Sequence, residues 1–181
     1  MRYLTYSLIA IGLFAMASCT QKKNEYADIQ KMFDTLGLKI QQGYIDTAYL
    51  NKTIAEVKQY ADEHPKDSLA AKLLFQSAQQ LESHKMADQA VQILEKIQKD
   101  FSESAYAAKA LLTEGFIYNN ILHNIDQAKV KYNEYLEKYK NLDTNLSRDV
   151  ELELQHLGKS AEELVREFEA RIEENKEKKN Q

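Results

Sequence analysis

The side chains that could do chemistry are few and scattered. His64, His84, His123 and His156 fall twenty, thirty-nine and thirty-three residues apart. None has a second His or a Cys at the local spacing that a zinc site shows, so they read as polar loop residues and no metal is expected. Most carboxylates sit among lysines, as in Glu95-Lys96, Glu137-Lys138 and the run from Glu173 to Lys179; a solvated helix face accounts for them. A glycosidase needs two carboxylates flanking a cleft, and no pocket signature singles out a pair. There is no glycine-rich phosphate loop and no Gly-x-Ser-x-Gly elbow. The chain is therefore expected not to be an enzyme, and to need no cofactor.

The one cysteine, Cys19, has a different use. Residues 1–19 carry a basic Arg2, an apolar run from Leu8 to Ala17 and the small pair Ala17-Ser18, which is the layout of a secretory signal. That run of ten is too short for a bilayer core, which needs roughly twenty helical residues. Met16-Ala17-Ser18-Cys19 resembles the lipobox of bacterial lipoproteins. The resemblance implies a signal peptide over 1–18, removed on processing, and a lipidated Cys19 followed by a short polar tether over 19–27. Multiple acyl chains, at about 0.8 kcal/mol per buried CH₂, make a stable anchor. Thr20 stands where an Asp would mark inner-membrane retention. The implied location is the outer membrane, lipid-anchored, on its periplasmic face.

Composition fixes the class of the rest. With 24 basic against 28 acidic side chains the formal charge is −4. No basic excess exists to neutralise phosphates, so nucleic acid is not expected as a partner. One proline and five glycines are too few for an all-β fold, which turns about every eight to twelve residues. The prediction is all-α.

Helical spacing supports that over residues 28–178, with 179–181 as a disordered tail. Ile29, Met32, Phe33, Leu36 and Ile40 form a first stripe, closed by Gly43. Asp46 opens a second helix with Leu50, Ile54, Val57 and Ala61, and Pro65 stops it by disfavouring the helical conformation of His64. A third starts near Asp67 with Leu69, Leu73, Leu74, Ala78 and Leu81; a fourth carries Met86, Ala90, Val91, Leu94, Ile97 and Phe101. Ser104 can cap a fifth, with Ala107, Leu111, Gly115, Tyr118 and Leu122 inward. Asn124 and Gln127 suggest a capping box for a sixth, with Ala128, Tyr132, Tyr135, Leu136 and Tyr139 inward. Leu146, Val150, Leu154 and Leu157 follow, up to Gly158. Ser160 and Glu163 open the last helix, with Leu164, Val165, Phe168 and Ile172. The wholly polar end beyond Ile172 is expected to fray. Short connections make neighbouring helices antiparallel, hence hairpins.

The hairpins repeat. Ala70-Ala71-Lys72 returns as Ala107-Ala108-Lys109 thirty-seven residues on, Ala78 matches Gly115, and one extra residue near His123 shifts Ala90 onto Ala128. This pattern resembles the tetratricopeptide repeat, which keeps a small residue in each helix of a hairpin so that the two cross closely. Ala78 with Ala90, and Gly115 with Ala128, take those positions; Leu81 and Tyr118, then Leu94 and Tyr132, take the large ones. The resemblance covers roughly 46–141 and implies a short solenoid of stacked antiparallel hairpins with capping helices. With the lipobox, it extends to envelope lipoproteins and periplasmic proteins of the β-barrel assembly and Tol/Pal accessory type.

On the family's pattern the first helix of each hairpin lines a concave groove. Its residues would be Lys72, Phe75, Gln79 and Glu82 in one repeat and Lys109, Leu112, Phe116, Asn119 and Asn120 in the next. Phe75 and Phe116 would either anchor a partner's helix or peptide or pack on the adjacent hairpin. Tyr132, Tyr135 and Tyr139 share one helix face and read as core. The expected function is a membrane-anchored scaffold or adaptor binding another envelope protein, in outer-membrane protein assembly or envelope maintenance. The alternatives are a lipid-tethered binding protein for a small ligand or glycan, and a helical cell-wall hydrolase, which a buried carboxylate in a cleft would favour.

Overall fold

Helix ends in this chain are set by local chemistry that can be followed residue by residue. The computed structural model describes residues 24–179, and among them it is all-α, with eight helices and no strand. They are α1 (24–41), α2 (Thr47–Glu63), α3 (Ser68–Ser83), α4 (Ala87–Asp100), α5 (Ala105–Asn120), α6 (Ile125–Tyr139), α7 (Thr144–His156) and α8 (Ala161–Lys179). The helix over the polar C-terminal end continues well past Ile172, where fraying was expected. The chain divides into two units, the first ending at Ala107 and the second beginning at Ala108.

In the first unit α1 ends in a Schellman turn. Tyr44 N–H donates to Lys39 O and Gly43 N–H to Ile40 O, at 2.9 Å each, with Gly43 at φ +75°. Asp46 then caps α2 by accepting from Tyr49 N–H at 2.9 Å, and its other oxygen takes the Lys39 ammonium at 2.7 Å. That hydrogen bond, with the backbone bond from Tyr49, holds the Asp46 carboxyl below its usual range and Lys39 above its own. Pro65 has the expected effect: α2 stops at Glu63, and His64 leaves the helix at φ −127°, ψ +59°. Asp67 caps α3 through Leu69 N–H and accepts the Tyr60 hydroxyl at 3.0 Å. Burial, that bond and nearby negative charge together push the Tyr60 hydroxyl pKa up.

The joint between α4 and α5 repeats the joint between α2 and α3. His64 N–H donates to Tyr60 O and Asp67 N–H to His64 O; thirty-seven residues on, Phe101 N–H donates to Ile97 O and Ser104 N–H to Phe101 O. The side chain in the capping position differs, because the Ser104 hydroxyl has no hydrogen-bond partner, against the expectation that it caps α5. The extra residue near His123 resolves the same way: three residues join α3 to α4 and four join α5 to α6. Lys85 and His123, each just before the N-cap of the following helix, have positive φ.

Packing in the first unit follows the stripes closely. Leu36, Leu50, Val57, Leu73, Leu74, Ala78, Leu81, Ala90, Leu94 and Ile97 are all buried to within about a per cent of completely, and α4 packs chiefly on α3. Two stripe members, Ile40 and Leu69, face solvent instead, since each lies at an end of its helix. Tyr26 and Gln30 of α1 reach Lys72 and Gln76 of α3. Rising numbers on both sides mean that α1 runs parallel to α3, with α2 antiparallel to each.

The second unit is built round Ala108, Leu111, Tyr132, Tyr135 and Val150, flanked by half-buried Leu112, Leu136, Tyr139, Leu154 and Leu157. Tyr132 and Tyr135 are core side chains, and Tyr139 packs on Tyr135 at the edge of that core. Burial, with some help from the Glu153 charge, pushes the Tyr132 hydroxyl up to about 12. Asn124 caps α6 by accepting from Gln127 N–H at 3.1 Å, but its own N–H goes to Tyr118 O, so only half of the expected box forms. At α8 the box is complete: Ser160 N–H donates to Glu163 Oε2 at 2.7 Å and Glu163 N–H to Ser160 Oγ at 3.2 Å. Leu146 is exposed, contrary to its place in the α7 stripe.

Candidate functional site

The expected signal peptide over 1–18, Cys19 with its expected lipidation, tether residues 20–23 and the last two residues of the tail lie outside the described residues, whereas 24–27, expected as tether, are the start of α1. Among the described residues no helix is long and apolar enough to cross a membrane.

The residues expected to line a groove divide by environment. On α3, the Lys72 ammonium donates to the Tyr26 hydroxyl at 3.1 Å and sits 5.9 Å from the centre of that ring. Phe75 packs on Tyr106 with ring centroids 5.6 Å apart and a 45° tilt. Gln79 is exposed and Glu82 half-buried. Tyr26 of α1 and Tyr106 thus contact two of the α3 positions expected to line the groove.

On α5, Leu112 packs on the second unit's core, while Lys109 and Asn120 are exposed and Asn119 is half-buried. Phe116 is 48% exposed, and the Asn120 amide donates to Phe116 O at 3.1 Å. The packing positions Ala78, Ala90 and Ala128 are fully buried. The Tyr132 ring of α6 lies against Gly115 of α5: a Cβ built on Gly115 would run into it, reaching Cδ1 at 2.5 Å. The aromatic four residues beyond Ala128 thus fills the space that glycine leaves.

Two constellations escaped the sequence reading. Glu114 is completely buried and pairs with Lys131 Nζ at 2.5 Å. A visible signal existed, since Glu114 lies three residues after buried Leu111 on the inward face of α5, and Lys131 precedes core Tyr132. The pair ties α5 to α6. The second gathers Glu25, Glu63 and His64, whose donor atoms all lie within 4.8 Å of one another. His64 Nε2 is 3.5 Å from Glu25 Oε2, and the His64 ring leans on Tyr60 with centroids 4.4 Å apart. Beside them a cavity of about 240 Å³ is lined by Glu25, Asp28, Glu56, Gln59, Tyr60 and Glu63 among others. No local spacing announces this cluster, because Glu25 and His64 are thirty-nine residues apart.

The second unit also presents apolar side chains to solvent. Val165, Phe168 and Ile172, at helical spacing along α8, are 54%, 51% and 54% exposed. The His156 ring, 6.0 Å from that of Phe168, and the Lys159–Glu167 ion pair at 2.5 Å hold the start of α8 to the end of α7. Compared with family models, with curated proteins and with solved structures, the chain matches none.

Proposed function

We propose that this chain is a membrane-tethered adaptor of the bacterial cell envelope. A lipid on Cys19 anchors a short stack of tetratricopeptide-like hairpins, and exposed apolar side chains of the second unit dock another envelope protein. The tether raises that partner's local concentration at the membrane. Work in outer-membrane protein assembly or envelope maintenance suits such a part.

Supports for the hairpin stack are the joint hydrogen bonds recurring at thirty-seven residues, the parallel run of α1 and α3, and the seating of the Tyr132 ring of α6 on Gly115 of α5. The observation that carries the binding role is the exposure of Phe116, Val165, Phe168 and Ile172 in a chain whose mean hydropathy is −0.58. Large apolar groups left in water are a standing cost, and full burial of each returns about 1.5–3 kcal/mol.

A photo-crosslinking amino acid placed at Phe116 or Phe168 in living cells is expected to yield one discrete adduct, and none when placed at exposed Gln92 of α4. No adduct at either site, or the same pattern from Gln92, would reject the docking role. Cys19→Ser should release the chain from the membrane fraction; retention would reject the anchor.

A further inference from the structure

The geometry points to a divalent transition-metal site, of the kind that takes Zn²⁺, formed by Glu25, Glu63 and His64. Three residues from the ends of two helices meet there. Pro65 ends α2 before His64, whose ring leans on Tyr60 one turn earlier. Glu63, the last residue of α2, is its immediate neighbour. Glu25 arrives from the first described turn of α1, which runs antiparallel to α2 and so brings its start to the end of α2.

The distances suit a shared ion better than a direct bond. At 3.5 Å, His64 Nε2 and Glu25 Oε2 are beyond the ordinary hydrogen-bond range. Two ligands of a tetrahedral ion with bonds near 2.1 Å are themselves about 3.4 Å apart. All three donor atoms fall within 4.8 Å, and exposed Glu63 can close the remaining gap by a rotamer change.

The repeat supplies an independent reason to read His64 as more than packing. Its counterpart thirty-seven residues on is Phe101, which makes the same backbone bonds and is buried. The fold therefore accepts an apolar ring in this position. A histidine there, its ring tilted against Tyr60 and its Nε2 turned to a carboxylate, gives up that burial for a metal-binding nitrogen.

One imidazole and two carboxylates without backbone carbonyls favour Zn²⁺ over Mg²⁺ or Ca²⁺, which ask for six or more oxygens. The adjoining cavity of about 240 Å³ leaves space for a water in the fourth position. Such an ion would clasp the start of α1 to the end of α2, closing a loop of almost forty residues.

The test is a Zn²⁺ titration of the full chain, purified in detergent and stripped with EDTA. One ion should bind per chain, raising the Tm. His64→Phe restores the ring that the other repeat uses, so it should keep the far-ultraviolet helical signal while weakening binding at least about tenfold. Glu25→Gln should weaken it similarly, whereas Glu56→Gln, altering the same cavity outside the triad, should not. Co²⁺ should show the visible absorption of a four-coordinate ion in the wild type and lose it in His64→Phe. Unchanged affinity in a folded His64→Phe chain, or equal binding of Mg²⁺, overturns the site.

Discussion

The helices of residues 24–107 and those of residues 108–179 are drawn with the same amphipathic pattern but spend it differently. In the first unit the stripes of α2, α3 and α4 disappear into a shared core, down to Leu50, Val57, Leu74, Leu94 and Ile97 at complete burial. In the second, α8 keeps a comparable stripe in water at Val165, Phe168 and Ile172. The two units also differ in what they bury, since the second places a charge pair, Glu114 with Lys131, beside its tyrosines. A helical stripe therefore specifies a helix and a face, and leaves open what covers that face.

The comparison can be broken most directly by truncating one residue on each side. Leu94→Ala, in the first unit's core, should cost about 3 kcal/mol, whereas Phe168→Ala on α8 should stay within about 0.5 kcal/mol, both by urea unfolding of the full chain. A large loss at Phe168 would mean that α8 is packed after all.

Next in size is the buried pair. Lys131→Met removes the ammonium that pairs with buried Glu114 and should cost about 3 kcal/mol, with much of it restored by adding Glu114→Gln. Equal losses in the single and double variants would show the pair to be uncoupled.

Smaller again is Gly115→Ala. Alanine gains about 1 kcal/mol of helix propensity over glycine, but the new Cβ must displace the buried Tyr132 ring, and overpacking of that kind costs about 1–3 kcal/mol. A net loss near 1 kcal/mol is expected, turning into a gain once Tyr132→Leu makes room. A gain in the wild-type background would remove the close crossing from the argument.

The smallest effect is an acid one, at the α1–α2 joint. Lys39 and the Tyr49 N–H hold the folded Asp46 pKa below its ordinary value of 3.8. Its stabilisation is therefore fully present above that value and fades as the pH falls through the lower folded pKa. Glu163 at the start of α8 behaves alike, held down by its hydrogen bonds to Ser160. Asp46→Asn should lower the plateau above pH 5 slightly and flatten the acid limb of a Tm-against-pH curve. An unchanged acid limb would show that the joint does not feel its charge.

Where each helix starts and stops was written locally. Gly43 takes the left-handed conformation that a Schellman turn requires, Pro65 forbids a helical His64, and the caps at Asp46, Asp67, Asn124 and Ser160 satisfy N–H groups two or three residues away. These interactions span one turn, so residue type and spacing suffice to read them. The groove was legible only as a set of positions: Lys72 and Phe75 have the expected place on α3, but Tyr26 and Tyr106 reach them first.

Everything that depended on helices finding one another had to come from the tertiary structure. Whether Phe168 is core or surface, whether Glu114 meets Lys131, and whether His64 meets Glu25 are settled by which faces dock, across separations that no local pattern encodes. The sequence fixes its helices by hydrogen bonds to near neighbours, whereas docking is decided by the summed burial of many weak, non-directional contacts. That is why the helices could be counted in advance and the company each one keeps could not.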